Sequence, residues 1–151
     1  MIVQKTSVFP AGRDSVFQKL QQLETLQYIA EPYAAFEPVN HTVNTWTVGS
    51  TTSYRFWLFG VIPFGTHTIH IVRFDPDGIS SREKNDHVPV WNHDIMLEQA
   101  DENHTRYTDR VEIHAGWKTG FIWLWANAFY AHRQRKWIKL LQENVNEKQR
   151  I

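Results

Sequence analysis

Hydrophobic and polar residues alternate along most of the chain from residue 33 to residue 114, and this alternation predicts a series of β-strands. The segments are rich in β-branched and aromatic residues, and short turns separate most of them. Together with a first strand, they are predicted at Ile2–Phe9, Tyr33–Val39, Thr51–Phe59, Gly65–Asp75, Ile79–Lys84, Pro89–Glu98 and His104–His114. Short connections between successive strands favour an antiparallel meander.

Helical spacing of apolar residues replaces this alternation elsewhere. It predicts a short helix at Asp14–Gln22 and a second short helix from Glu24. The longest helix is predicted at Thr119–Arg150, where no Gly or Pro follows Gly120. At a rise of 1.5 Å per residue, such a helix is roughly 45 Å long.

A single sheet with one apolar face must be covered, and only the terminal helix is long enough to lie across it. The sequence therefore predicts an α+β fold made of one domain over residues 1–151. Its curved antiparallel sheet of about seven strands wraps around a long C-terminal helix. Two short helices follow the first strand.

The long helix carries an unusual stripe at alternating steps of four and three residues. The stripe consists of Trp123, Asn127, Tyr130, Gln134, Trp137 and Leu141. A helix that only covers a core presents mainly Leu, Ile and Ala. Large aromatic and polar side chains here are typical of a helix that closes over a cavity.

Aromatic residues make up 14% of the chain, with seven Trp, nine Phe and five Tyr. Such side chains line ligand pockets, although a Trp-rich solid core explains them equally well. The formal net charge is zero, which predicts no nucleic-acid partner. Cysteine is absent, which excludes disulfides, thiol nucleophiles and thiolate metal sites.

The first residues lack the basic and then apolar profile of a signal peptide. The most apolar run, Phe121–Ala131, is too short to span a bilayer. We therefore expect a cytoplasmic protein without stable membrane insertion.

One end of the predicted sheet carries an apolar rim. The turn at Gly60–Gly65 contains Val61, Ile62 and Phe64, and it lies beside the aromatic start of the long helix at Phe121. Three interpretations remain open. The rim is a ligand portal, a plug folded into the barrel end, or a contact for a membrane or partner protein.

Several short motifs accompany this order of elements. They are Phe9-Pro10-Ala11, Trp46-x-x-Gly49, Trp91-x-His93-x-Ile95-x-Leu97, Thr105-x-Tyr107-Thr108-Asp109-x-Val111 and Phe129-Tyr130-Ala131-His132-Arg133. With these motifs the chain resembles the START/Bet v 1-like (SRPBCC) superfamily, and most of all its bacterial polyketide-cyclase and ligand-binding-like branch. The resemblance implies the helix-grip fold. Its members differ in activity and include lipid and hormone carriers, cyclases, dehydratases and co-chaperone domains.

The last two strands bring two ionisable residues together. A five-residue turn between them pairs His93 with Asp109 and Trp91 with Val111, on the inner face of the sheet. A carboxylate beside the imidazole suits general acid–base chemistry, and it equally suits a structural or ligand-orienting pair. A register shifted by two residues removes the direct pairing.

Other polar residues give weaker signals. Arg133, at the edge of the helix stripe, either reaches the cavity to hold an anionic ligand or lies along the surface. Glu83 is expected to point inward only if its strand pairs with the preceding one so that Ile71 lies opposite Glu83. His67 and His70 point to opposite faces of a strand, so no metal site is predicted, and no cofactor.

Our leading hypothesis is that the chain binds a small hydrophobic or aromatic molecule, lipid- or polyketide-like, in an internal cavity. The predicted lining is Tyr54, Phe56, Leu58, Ile69, Ile71, Trp91, His93, Ile95, Tyr107, Asp109, Val111, Trp123, Tyr130, Arg133, Gln134 and Trp137. Arg55, Trp57 and Phe59 form the alternative inner face of their strand.

Two other functions remain open at this point. The first is a cyclase or dehydratase that uses His93 and Asp109 for proton transfer. The second is a protein or membrane interaction module that uses the apolar turn at residues 60–65. A homodimer is also left open.

Overall fold

The computed structural model describes residues 1–39 and 46–149. The connection between the predicted strands Tyr33–Val39 and Thr51–Phe59 lies partly outside these residues, as does the predicted helix end at Arg150. The elements are β1 Ile2–Phe9, α1 Arg13–Leu20, α2 Leu23–Ala30, β2 Ala34–Pro38, β3 Thr51–Leu58, β4 Ile62–Asp75, β5 Gly78–Asn85, β6 Val88–Asp101, β7 His104–His114 and α3 Thr119–Gln149.

The seven strands form one antiparallel sheet in the order β1-β7-β6-β5-β4-β3-β2. From β2 to β7 the strands follow one another as a meander, and β1 closes the order by pairing with β7. The helix α3 packs against β1, β7 and α2. The predicted helix-grip fold is therefore confirmed. Among the described residues, no helix has the length and hydropathy needed to cross a membrane.

The turn between β3 and β4 is shorter than predicted. Its two central residues, Phe59 and Gly60, have φ angles of 54° and 74°. Val61 N donates to Leu58 O at 3.2 Å. Three residues, Phe59 to Val61, separate the paired Leu58 and Ile62, so β4 begins at Ile62 rather than at Gly65.

The sequence Asp75-Pro76-Asp77-Gly78 predicts a tight type I turn with Gly78 in the left-handed conformation. The tight hairpin between β4 and β5 is present, since Asp75 pairs with Gly78, but the expected conformation of Gly78 is wrong. Gly78 does not have a positive φ. A Cβ on this residue would lie 2.2 Å from Ile95 O, so glycine allows the close approach of β6.

The pairing of β6 with β7 is shifted by two residues from the predicted register. His93 lies opposite Val111, and Asp109 lies opposite Ile95. The expectation that His93 directly faces Asp109, and Trp91 faces Val111, is therefore wrong. Because side chains alternate with a period of two, this shift leaves the same residues on the inner face.

The two sides of the interior differ in packing. Beside β1 and β7, the rings of Phe9, Tyr107 and Trp137 are fully buried. The Phe9 centroid lies 4.5 Å from that of Tyr107 and 5.6 Å from that of Trp137. The remaining strands curve away from α3 and leave a space, which contains the candidate site.

Candidate functional site

A cavity of about 290 Å³ lies between α3 and the concave face of the sheet. Strands β3 to β6 supply one wall, and Leu20, Leu26 and Ala30 of the two short helices contribute to another. The lining is mostly apolar and aromatic. The side of α3 that faces it consists of Phe121, Ile122, Trp125, Phe129, Tyr130 and Arg133.

Ten of the predicted lining residues border this cavity. They are Tyr54, Phe56, Leu58, Ile69, Ile71, Trp91, His93, Ile95, Tyr130 and Arg133. On β3 the first predicted face therefore points inward, and the alternative face with Arg55, Trp57 and Phe59 does not line the cavity. A break in the β3–β4 pairing between Arg55 and Trp57 accompanies this arrangement.

Three other predicted residues lie in solid core instead. Tyr107, Val111 and Trp137 have exposures of 0%. Tyr107 and Trp137 stack with Phe9 on the β1–β7 side. Their placement as cavity lining was wrong, because α3 packs directly on β1 and β7 in this part of the interior.

The last three predicted residues support the site from behind or beside it. Trp123 donates its Nε1–H to Ile2 O at 2.9 Å. Gln134 donates to Lys5 O at 2.7 Å and to Asp109 Oδ2 at 3.2 Å. Asp109 is completely buried behind His93. None of the three borders the cavity, so the helix presents a stripe rotated from the predicted one.

His93 and Asp109 still meet despite the changed register. His93 Nε2 lies 2.7 Å from Asp109 Oδ1. The two residues are diagonal neighbours on the inner face, and their side chains are long enough to span this distance. Tyr107 Oη also donates to Asp109 Oδ1, at 3.4 Å. The pair thus belongs to a hydrogen-bonded network that joins the sheet to α3.

His93 is held between two carboxylates. Its Nδ1 lies 3.7 Å from Glu83 Oε2, on the side opposite Asp109. Burial alone would lower the pKa of His93, but the hydrogen bond to Asp109 and the nearby Glu83 raise it to about 9. Both ring nitrogens are engaged by the protein, and the ring is protonated at neutral pH.

Glu83 points into the cavity from β5. Its side chain is 8% exposed, and His67 Nε2 lies 2.7 Å from its Oε1. Ser81 Oγ donates to the other oxygen. Burial raises the pKa of Glu83, but His67 and His93 outweigh this effect and hold it well below the usual range.

The sequence did not place Glu83 and His67 in the site. The Glu83 side chain was expected to point inward only if Ile71 lay opposite it on the neighbouring strand. Glu83 in fact lies opposite Ile69, and its side chain still points inward. A break in the pairing between Ile71 and Arg73 changes the register. His67 and His70 do lie on opposite faces, since His70 Nδ1 bonds outside to Thr51 Oγ1 at 2.8 Å.

Arg133 reaches the cavity from α3. Its guanidinium carbon lies 5.2 Å from the ring centroid of Tyr130 and 5.7 Å from that of Phe129. Within the described residues, it makes no ion pair within 4 Å, and its buried Nε has no hydrogen-bond partner. Burial lowers the pKa of Arg133, but the charge of Asp109 outweighs this and raises it.

Two more buried donors border the same cavity. Asn85 Nδ2 and Trp125 Nε1 have no hydrogen-bond partner among the described residues. Donors of this kind are satisfied by oxygen acceptors. Over the same part of the chain, no group of three His, Asp or Glu residues is arranged to hold a metal ion.

Solved structures share this architecture. A protein from Arthrobacter aurescens is similar with a TM-score of 0.75 and 15% identity, over 94% of this chain and 86% of that one. A START superfamily protein from Mycobacterium smegmatis is similar with a TM-score of 0.71 and 10% identity, over 94% of this chain and 97% of that one. For Zhui aromatase/cyclase from Streptomyces sp. R1128 the TM-score is 0.63 and the identity 14%, over 98% of this chain and 94% of that one.

These likenesses confirm the predicted resemblance in fold to the START and polyketide-cyclase-like proteins. A comparison with curated proteins finds no match. The family described as "Domain of unknown function (DUF8410)" matches residues 7–141.

Proposed function

We propose that this chain, which belongs to the DUF8410 family, binds a small hydrophobic or aromatic molecule in the cavity between its sheet and α3. The cavity itself supports the proposal most directly. Its volume of about 290 Å³ is near the lower end of ligand sites, which span roughly 300–1,000 Å³. A guest of one to a few fused or linked rings suits this volume.

The lining supplies affinity through burial of apolar area, at about 25 cal/mol per Å². Phe56, Trp91 and Trp125 border the space, and the ring centroids of Phe56 and Trp91 lie 6.4 Å and 6.3 Å from that of Trp125. Flat aromatic guests are matched by such walls. The unpaired donors of Arg133 and Asn85 favour a guest that also carries an oxygen acceptor.

The apolar rim fits a portal to the same cavity. Phe64 and Phe121 border the cavity, whereas Val61 and Trp117 are 75% and 83% exposed. Apolar side chains therefore lie both on the cavity lining and on the exposed part of this end of the molecule. A cytoplasmic location and a homodimer stay predictions from sequence.

The enzyme hypothesis with His93 as the proton-transfer group receives less support. Its two nitrogens face Asp109 and Glu83 rather than free space. A general acid or base must reach the proton that it transfers. We therefore favour a supporting role for His93 and Asp109.

A cavity-filling substitution tests the binding proposal. Ile69→Trp places a large side chain in the cavity, and Val72→Trp places the same side chain at an exposed position of β4. We expect Ile69→Trp to weaken binding of the neutral dye N-phenyl-1-naphthylamine at least tenfold, measured by fluorescence titration. Val72→Trp should change it less than twofold.

Native mass spectrometry of protein purified from its own host complements this titration. A retained small molecule that Ile69→Trp excludes would support the proposal. Equal dye affinity in the two variants, or no dye binding by the original chain, would contradict it.

A further inference from the structure

We propose that His67 and Glu83 form a general acid–base dyad that exchanges a proton with an aromatic guest in the cavity. This inference rests on the proposed binding function and adds a chemical activity to it. The dyad lies on the sheet wall, on two adjacent strands. It is distinct from the buried His93–Asp109 pair, which contacts Glu83 from behind.

The hydrogen bond between the two residues fixes the orientation of His67. Nε2 of His67 lies 2.7 Å from Glu83 Oε1, and an ionised carboxylate only accepts hydrogen bonds. Nε2 therefore carries the proton in this bond. In the tautomer that this bond selects, the lone pair resides on Nδ1, which makes no hydrogen bond to a described residue.

The His67 ring borders the cavity and contacts two aromatic rings of its wall. Its ring centroid lies 5.7 Å from that of Phe56 and 5.8 Å from that of Trp91. Both of these rings border the cavity, and the His67 side chain is 12% exposed. An aromatic guest that occupies the cavity beside these rings comes within reach of the imidazole.

Glu83 acts as a positioning residue rather than as the base. One of its oxygens bonds to His67, and the other accepts from Ser81 and faces the protonated His93. A fixed carboxylate behind an imidazole holds the ring in one tautomer and stabilises the imidazolium that forms on proton transfer. His93, which Asp109 holds from its other side, faces Glu83 and favours its ionised form.

A carbon acid with a built-in leaving group provides a test that needs no natural substrate. The probe is 5-nitro-1,2-benzisoxazole. His67 Nδ1 removes the proton from C3, and the C–H electron pair forms the nitrile as the N–O bond breaks. The product is 2-cyano-4-nitrophenolate, which is followed by its absorbance. The proton on His67 then passes to water, so the reaction needs no other reactant.

We expect the chain to convert this probe about 100-fold or more faster than His67→Gln at equal concentration. Glu83→Gln should lower kcat about tenfold or more, because His67 is then less firmly positioned. KM should change little, because the substitution preserves the size and shape of the cavity. His70→Gln is the matched control, since His70 lies on the outer face of the same strand. It should react like the original chain.

Dye binding separates this proposal from the proposed function. N-phenyl-1-naphthylamine should bind His67→Gln and the original chain within about threefold, and the probe should displace it. Equal turnover by the original chain and His67→Gln, with the dye still bound and displaced, would overturn the dyad alone. Exclusion of the probe would also overturn it, whereas failure to bind the dye at all would overturn the binding function and the dyad together.

Discussion

The two sides of α3 contain similar residues and form different structures. Towards β1 and β7, Trp137 packs against Phe9 and Tyr107, and all three rings are fully buried. Towards the other strands, Trp125 stacks on Phe129 of its own helix at 4.6 Å. The sheet rings nearest to it lie 6.3 Å or more away, and a cavity opens beside them.

Aromatic content therefore does not distinguish a core from a ligand site. The curvature of the sheet does, because it brings β1 and β7 into contact with α3 and carries the remaining strands away from it. The ionisable residues follow the same division. Asp109 lies inside the packed side, Glu83 and His67 lie on the cavity wall, and His93 connects them.

The largest expected difference between the two sides concerns stability. Trp137→Ala should lower the free energy of unfolding by about 3–5 kcal/mol, because it leaves a void in a closed core. Trp125→Ala should lower it by about 1–2 kcal/mol, since that ring already borders open space. Urea unfolding followed by far-UV circular dichroism measures both. Equal losses would show that the cavity side is packed as tightly as the other.

A second, intermediate effect concerns the residue that joins the two sides. The pKa of His93 rises from 6.5 to about 9 on folding, so its contribution to stability is complete below about pH 6.5 and is lost as pH rises through 9. We expect the free energy of unfolding to fall over this range by on the order of 1–3 kcal/mol. Urea titrations between pH 6 and 9.5 measure the slope.

His93→Gln should remove most of this slope between pH 7 and 9, whereas His70→Gln should preserve it. The pKa values of Glu83 and Asp109 are lowered on folding, so these two residues change stability with pH in the opposite direction. Their stabilisation is present above the unfolded pKa values and is lost in acid. A slope that survives in His93→Gln would mean that another group titrates in this range.

The smallest expected effect concerns ligand choice on the cavity side. Arg133 carries a charge that no described residue pairs with, so it should favour an anionic guest. We expect Arg133→Gln to weaken the binding of 8-anilino-1-naphthalenesulfonate about tenfold, or by ~1.4 kcal/mol. The affinity for N-phenyl-1-naphthylamine, which lacks only the sulfonate, should change less than twofold in the same fluorescence titration.

Arg135→Gln is the control, because Arg135 is exposed on the same helix. It should leave the affinity for both dyes unchanged. If Arg133→Gln weakens both dyes equally, Arg133 shapes the cavity through its contacts with Phe129 and Tyr130 instead of recognising an anion.

The sequence by itself determined the order of elements, the helix-grip fold and the inner face of most strands. Alternation along β6 and β7 assigned Trp91, His93, Ile95, Tyr107 and Asp109 to the interior correctly, because the side-chain period of a strand is two. The same period explains the register error. A shift by two residues keeps every side chain on its face, so the pattern alone cannot choose between the two pairings.

Only the tertiary structure decided which part of the interior is hollow. The aromatic residues of α3 occur on several sides, so the rotation of the helix, and with it the roles of Trp125 and Trp137, depended on contact with β1 and β7. Glu83 lies among polar residues whose alternation gives no direction. Its inward position follows from the irregular pairing of β4 with β5, which a local pattern does not encode.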